Sequence, residues 1–278
     1  MPQAEQIVNF DVEGYKPEVA DVGGKGASLI KLYQAGIPVP NGFVVTTSAY
    51  NEFHEQGLPD SFQNILLEAF DSLGAQRVAV RSSAISEDSD TASWAGQFES
   101  FMNVTRDTLV ESIKKCWASV DDALSYAETQ NTSGDGLSIA VVVQKMVDSD
   151  MAGVAFSVNP INHDSNQIMI EATYGLGELL VQGMVNPDNY VISKSDGSIA
   201  SKHISTKAVM LAYKDGETQQ VPVDEELQDT PCLSEGQLSE LGQMVSSIEQ
   251  YYGTPQDIEF AYSNNVLNIV QSRSITTI

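Results

Sequence analysis

The chain has 278 residues, of which 38 are acidic and 14 are basic, and its formal net charge at pH 7 is −24. An apolar share of 42% is typical of a globular protein and excludes wholesale disorder. The charge argues against nucleic-acid binding and against docking on anionic lipid, because both need surfaces rich in Lys and Arg. No run of 18 apolar residues and no signal-peptide pattern occur, so we expect no membrane association.

The cysteine content bears on the cellular compartment. Cys116 and Cys232 are far apart in the sequence and match no zinc or redox spacing. We therefore expect a reducing cytoplasm, and a single structural disulfide is the alternative.

Apolar periodicity and turn residues predict the elements in chain order. In the first half we expect helices over 27–34, 48–55, 60–73 and 107–126, and strands over 42–47, 76–83 and 100–104. In the second half we expect strands over 139–146, 153–158, 168–172 and 190–192, a helix over 234–252, and a hairpin of 256–262 and 266–271. Ser234 and Gln237 have the spacing of a capping box.

This order predicts an α+β fold in two parts. A turn-rich linker over 131–136 is the expected boundary, which gives an N-terminal lobe over 1–130 and a C-terminal lobe over 137–278. Two lobes of this size predict a cleft between them.

Residues 23–26, Gly-Gly-Lys-Gly, precede the first predicted helix. Glycines at a helix start allow backbone N–H groups to approach an anion, and Lys25 adds a positive charge. The spacing is neither that of a P-loop nor G-x-G-x-x-G. Taken alone, the segment favours an ordinary glycine-capped turn.

Arg81 ends a predicted buried strand and is followed by a polar, Ser-rich loop over 84–97. An arginine placed there can project into a cleft and hold a phosphate through two parallel hydrogen bonds. A surface arginine paired with Glu87 or Asp88 is the alternative, and the segment alone does not decide between them.

The predicted last hairpin carries four polar residues. Asp257 and Glu259 share one face of a strand because they are two residues apart, and so do Gln271 and Arg273 on the next strand. If the strands pair, these oxygen ligands suit a Mg²⁺ ion that bridges phosphates. An exposed alternating strand is the alternative.

In this order, the three clusters resemble the nucleotide-binding domain of the pyruvate phosphate dikinase and phosphoenolpyruvate synthase family, which rifampicin phosphotransferases share. The matching segments are 22–29, 79–84 with Glu87 and Asp88, 93–97, 143–147, 153–160, 171–178, 181–183 with 187–188, and 257–273. The resemblance implies an ATP-grasp-type fold of two lobes, with the nucleotide in the cleft between them.

The resemblance also implies roles for individual residues. Lys25 and Arg81 would hold ATP phosphates, and the loop containing Ser93, Gly96 and Gln97 would close over them. The segment Gln144, Lys145, Met146 and Val147 would be the hinge whose backbone contacts adenine, with Met146 packed on the ring. Glu171 and Glu178 would lie near the ribose and the cleft wall. Glu259 and Gln271 would bind Mg²⁺, with Asp257 close by. Arg273 would contact the transferring phosphoryl group. The residues that would act in catalysis are therefore the three cations that contact phosphate, Lys25, Arg81 and Arg273.

The implied function is a Mg·ATP-dependent phosphotransferase domain or subunit that passes a phosphoryl group to a histidine on another domain or protein. The alternatives are a stand-alone ATP-grasp kinase or ligase acting on a small molecule, and a non-catalytic nucleotide-binding module. The chain departs from full-length relatives, because His54, His163 and His203 are not in a Thr-x-His motif. Ser274 also stands where a proline is usual.

Overall fold

The computed structural model describes residues 5–85, 99–129 and 138–275. The chain divides into two compact units, an N-terminal unit over Met1–Met146 and a C-terminal unit over Val147–Ile278. Both contain helices and sheets, so the predicted α+β class is confirmed.

The N-terminal unit is built on a five-stranded sheet of order β1-β2-β5-β3-β4. Its strands are β1 (Ile7–Asn9), β2 (Gly42–Val45), β3 (Val78–Ala84), β4 (Ser100–Val104) and β5 (Ile139–Lys145). Its helices are α1 (Val19–Gln34), α2 (Thr47–Phe53), α3 (Asp60–Leu73) and α4 (Leu109–Thr129), with a 3-10 turn over Arg106–Thr108. The hydrophobic core lies on one face of this sheet, where side chains such as Phe43, Val80 and Val143 pack with Phe62, Leu66 and Ile113.

The C-terminal unit is built on a six-stranded antiparallel sheet of order β13-β12-β6-β7-β8-β9. Its strands are β6 (Met151–Phe156), β7 (Gln167–Tyr174), β8 (Asp188–Ser193), β9 (Ile199–His203), β12 (Gln256–Ser263) and β13 (Val266–Ser274). A separate hairpin pairs β10 (Val209–Lys214) with β11 (Glu217–Pro222). The helices are α5 (Glu178–Val181), α6 (Glu225–Gln228) and α7 (Glu235–Tyr252).

The boundary between the units differs from the expected one. It lies after Met146, not within 131–136, because β5 pairs with both β2 and β3 and so completes the N-terminal sheet. Residues 131–136 themselves lie outside the described residues. The sequence does not reveal the pairing of β5 because a strand that returns to a distant partner carries no local signal of which sheet it joins.

Several predicted elements are confirmed. Helix α3 covers the predicted span and buries Phe62, Leu66, Phe70 and Leu73 on one side. The capping box of Ser234 and Gln237 starts α7. The last hairpin turns at Asn264 and Asn265, both with positive φ, as a two-residue type I′ turn requires.

Two predicted helix starts are wrong, and one hairpin is missing from the predicted elements. Helix α1 begins eight residues earlier than expected, at Val19, and is interrupted at Gly23. Helix α2 begins at Thr47, one residue earlier than expected, and Thr46 is its N-cap, since the Thr46 hydroxyl accepts a hydrogen bond from the Ala49 amide at 3.4 Å. The hairpin of β10 and β11 was not predicted, because its strands are only half-buried and lack a clear apolar alternation.

Candidate nucleotide-binding site

The glycine-lysine segment of α1 is shaped by a close approach between Gly23 and Ser83. Gly23 has φ +69°, and a Cβ atom there would lie 2.1 Å from the Ser83 carbonyl oxygen, so only glycine fits. The Ser83 hydroxyl donates to the Val22 carbonyl at 2.9 Å and accepts from the Gly26 amide at 3.0 Å. Ser83 therefore joins both sides of the interruption in α1 and presses the restarted helix against the end of β3.

Lys25 lies in the first turn after this interruption. It is half-buried, and its Nζ donates to the Ser82 carbonyl at 2.9 Å. A half-buried ammonium group beside a helix start combines a point charge with the positive end of the helix dipole. This part of the N-terminal unit is therefore suited to hold an anion.

Arg81 lies in β3 and is only 5% exposed, so it is not the surface arginine of the alternative interpretation. Its Nη2 donates to Gln144 Oε1 at 2.7 Å. Gln144 is 2% exposed, and its Nε2 donates to the Pro40 carbonyl at 3.2 Å. The structure thus joins two residues that the sequence had assigned to different tasks, the phosphates and the adenine hinge.

The other residues of the predicted hinge, 145–147, come directly after Gln144 in the chain. Lys145 is the last residue of β5, and the Met146 amide donates to the Arg77 carbonyl at 3.1 Å. Met146 and Val147 are half-buried and are the last and first residues of the two units. Their contact with adenine stays a prediction. The predicted closing-loop residues Ser93, Gly96 and Gln97 lie outside the described residues, as do Glu87 and Asp88.

In the C-terminal unit, the predicted pairing of the last hairpin is present. Asp257 lies opposite Arg273 and Glu259 lies opposite Gln271, and the register shifts just after Glu259. Asp257 Oδ2 accepts from Arg273 Nε at 2.9 Å and from Nη2 at 2.8 Å. The two carboxylates, the amide and the guanidinium therefore share one face of the sheet.

One carboxylate oxygen on this face can still accept a hydrogen bond or bind a cation. Asp257 Oδ1 is buried and has no hydrogen-bond partner among the described residues. A buried oxygen without a donor is costly unless something else binds it. Within the described ranges no three His, Cys, Asp or Glu side chains form a cluster able to hold a metal ion, so the candidate ligand set here is two carboxylates and one amide. Hard oxygen donors of this kind fit Mg²⁺, which needs only one or two protein carboxylates when phosphates supply further ligands.

Glu171 lies on the same face, two strands from Glu259. Val154 of β6 pairs with both Glu259 and Glu171, which aligns the two carboxylates across the sheet. Burial raises the pKa of the Glu171 carboxyl and also that of Glu178, which begins α5. Glu178 Oε1 has no hydrogen-bond partner in the part of the chain that the structure describes.

Sequence reasoning missed two residues of this arrangement. Ser83 shapes the glycine turn, although the sequence assigns it no role beyond its place at the end of the predicted strand over 76–83. Thr173 was not singled out; it is 1% exposed and shares a sheet face with Glu171, two residues away. The only local signal was their polar character next to strongly apolar strand residues.

A third polar cluster holds the C-terminal unit together. Lys207 and Asp188 are fully buried, and Lys207 Nζ donates to Asp188 Oδ1 at 2.6 Å. Asp188 also accepts from the Ser205 amide, the Cys232 amide and the Tyr190 hydroxyl. These bonds tie the segment around 205–232 to β8, so this cluster is structural.

The model of the pyruvate phosphate dikinase AMP/ATP-binding domain matches residues 19–68 and 54–278. The chain belongs to this family.

None of the described helices is long and apolar enough to cross a membrane.

The relatives of this chain include proteins that are longer than it. A probable phosphoenolpyruvate synthase of Methanothermobacter thermautotrophicus is 36% identical over 98% of this chain and 46% of its own length. An uncharacterized phosphotransferase of Bacillus subtilis is 36% identical over 92% of this chain and 33% of its own length. A phosphoenolpyruvate synthase of Aeropyrum pernix is 35% identical over 86% of this chain and 38% of its own length. The chain thus spans less than half the length of these relatives.

Among solved structures, a D-alanine–D-alanine ligase from Helicobacter pylori aligns with a TM-score of 0.36 and 11% identity, over 90% of this chain and 53% of that one. A likeness this low supports no argument about the fold or the function.

Proposed function

We propose that this chain is an ATP-dependent phosphotransferase domain that binds Mg·ATP and passes a phosphoryl group to an acceptor. The observation that carries the proposal is the paired face of β12 and β13, where Glu259 opposes Gln271 and Asp257 opposes Arg273. Membership of an AMP/ATP-binding domain family supports it, as do relatives named phosphoenolpyruvate synthase and phosphotransferase.

In this proposal the N-terminal unit supplies the cations that hold the phosphates. Lys25 and Arg81 bind them. The backbone of residues 144–147 contacts adenine, and Glu171 and Glu178 accept from ribose hydroxyls. In catalysis the protein would then position the nucleotide and neutralise the charge of its phosphates, and it would form few covalent bonds itself.

The C-terminal unit supplies the ligands of the cation. Glu259, Gln271 and the unused Oδ1 of Asp257 would hold Mg²⁺. When bound, Mg²⁺ neutralises phosphate oxygens and fixes their orientation. Arg273 is half-exposed, so its guanidinium can also meet the transferring phosphoryl group.

The acceptor in this proposal is a histidine on a separate domain or protein. A small molecule phosphorylated or ligated directly is the alternative acceptor, and a nucleotide-binding module without turnover is the other candidate. We place the protein in the cytoplasm, a compartment that keeps thiols reduced. In keeping with this, Cys116 and Cys232 are buried free thiols, and burial raises the pKa of Cys116 to about 12.

The test compares wild type with Glu259→Ala, using Glu217→Ala as the matched control, because Glu217 is an exposed glutamate at the start of β11. We expect wild type and the control to bind ATP more tightly with Mg²⁺ than without it, by titration calorimetry, and Glu259→Ala to lose this dependence. Mg²⁺-dependent binding by Glu259→Ala equal to that of wild type would show that the metal assignment is wrong.

Product analysis separates the functions. AMP and phosphate, formed with a histidine-bearing acceptor protein, support the phosphohistidine relay, whereas ADP supports a direct kinase or ligase. Tight ATP binding without any turnover, in the presence of either class of acceptor, favours the binding module.

A further inference from the structure

We infer that the side chain of Gln144 is a positioning group for Arg81, and that it acts through Arg81 on the phosphates of the nucleotide. This inference rests on the proposed function, because it takes Arg81 to be a phosphate ligand. It adds a role for the side chain to the expectation that the backbone of residue 144 belongs to the adenine hinge.

The first support is the location of the two side chains. Arg81 of β3 lies opposite Val142 of β5, two residues before Gln144, so Arg81 and Gln144 project from the same face of the sheet. Both are almost completely buried, at 5% and 2% exposure. Within this buried environment the side chain of Gln144 contacts the arginine directly at 2.7 Å.

The second support is the way in which the carboxamide is held. Its Oε1 accepts from Arg81 Nη2, and its Nε2 donates to the Pro40 carbonyl at 3.2 Å. Turning the amide over would bring its oxygen to a carbonyl oxygen and its NH₂ group to a guanidinium. Both contacts would then be repulsive, so the two partners fix a single orientation. Gln144 thereby links the arginine to the segment that precedes β2.

The third support is the charge of the acceptor. A guanidinium can be held by a carboxylate or by a neutral amide. A carboxylate would cancel part of the charge that a phosphate needs, whereas an amide directs the donor and leaves the charge in place. Glutamine is therefore the side chain expected where an arginine must be oriented and still attract an anion.

The experiment is a double-mutant cycle on the chain, with Kd measured by calorimetry for Mg·ATP and for adenosine. We expect Arg81→Ala to weaken ATP binding and leave adenosine binding within about twofold. Gln144→Ala should weaken ATP binding about three- to tenfold, the range expected for one hydrogen bond, again with adenosine little affected. The double variant should bind ATP within about twofold of Arg81→Ala, because Gln144 acts through Arg81.

A second pair of variants guards against a general loss of folding. Gln144→Glu places a carboxylate on the guanidinium and should weaken ATP binding more than adenosine binding. The matched control is Asn103→Asp, because Asn103 Oδ1 accepts from Arg77 Nη1 in an equivalent arginine–amide pair on β4. This control should leave both affinities unchanged, and thermal unfolding shows whether each variant is folded.

The outcomes separate the inference from the proposed function. If Arg81→Ala loses ATP affinity selectively but Gln144→Ala weakens ATP and adenosine equally, or if the two losses add in the double variant, the positioning role is refuted and the phosphate role of Arg81 stands. If wild type binds ATP no better than adenosine, the proposed function fails and the inference fails with it.

Discussion

Asp257 and Arg273 oppose each other on β12 and β13, and one oxygen of the carboxylate receives both hydrogen bonds from the guanidinium. The side chain of Asp257 is 13% exposed, whereas that of Arg273 is 50% exposed. The ion pair thus has a buried end and an open end, and the second carboxylate oxygen stays buried without a hydrogen-bond partner in the described part of the chain. Asp257 can therefore orient Arg273 and still bind another group.

We predict that Asp257→Asn weakens Mg²⁺-dependent ATP binding by about tenfold or more, as expected for the loss of a hydrogen bond to a charged group. The amide removes the negative charge that both Arg273 and a cation would use. Asp150→Asn is the control, because Asp150 is exposed and accepts from the Asn264 amide at the hairpin turn. Calorimetric titration with and without Mg²⁺ measures the effect, and equal affinities for the two variants would contradict the prediction.

We predict that Gly23→Ala destabilises the protein far more than Gly36→Ala. Both glycines have positive φ, but a Cβ atom at Gly36 meets nothing within 4 Å, whereas one at Gly23 would overlap Ser83. Gly36→Ala should therefore lower the free energy of unfolding only by the cost of placing an alanine at positive φ, about 1–2 kcal/mol. Urea denaturation gives both free energies of unfolding, and similar values for the two variants would refute the close approach of Ser83.

We predict that Glu178→Gln raises the free energy of unfolding at pH 7 and that the gain disappears in acid. Burial raises the pKa of Glu178 in the folded state, so the folded protein binds this proton more tightly than the unfolded chain does. Stability therefore falls as pH rises from the ordinary carboxyl range through the raised pKa. Denaturation at several pH values checks this, with the exposed Glu68→Gln as control, and a gain that persists at pH 4 would contradict it.

We predict that Lys207→Met costs about 3–5 kcal/mol of stability, because it leaves the buried Asp188 carboxylate without its cation. Arg106→Met, which removes an ion pair with Asp71 on the surface, should change stability little. Thermal unfolding of the two variants gives the comparison. ATP affinity at a temperature where both are folded should stay unchanged, since neither residue belongs to the proposed site.

The sequence determined the elements whose signals are local. Helix α3 follows from its apolar spacing and α7 from its capping box. The hairpin itself follows from its two-residue turn, but that turn alone would place Asp257 opposite Ser272. The register shift just after Glu259 brings Arg273 opposite Asp257 instead, and the sequence carries no local signal of this shift. Family membership could be inferred from short segments in the right order, since each depends on a few consecutive residues.

Only the tertiary structure decided which distant segments meet. It placed β5 in the N-terminal sheet, it set the Ser83 hydroxyl against both sides of the Gly23 interruption, and it joined Gln144 to Arg81. These contacts connect residues about 60 to 100 positions apart, and no local pattern encodes such a pairing, because it depends on how whole strands and helices pack. The charge of −24 argues against nucleic acid and anionic lipid as partners, but packing decided how Arg81, one of the few cations, is buried and oriented.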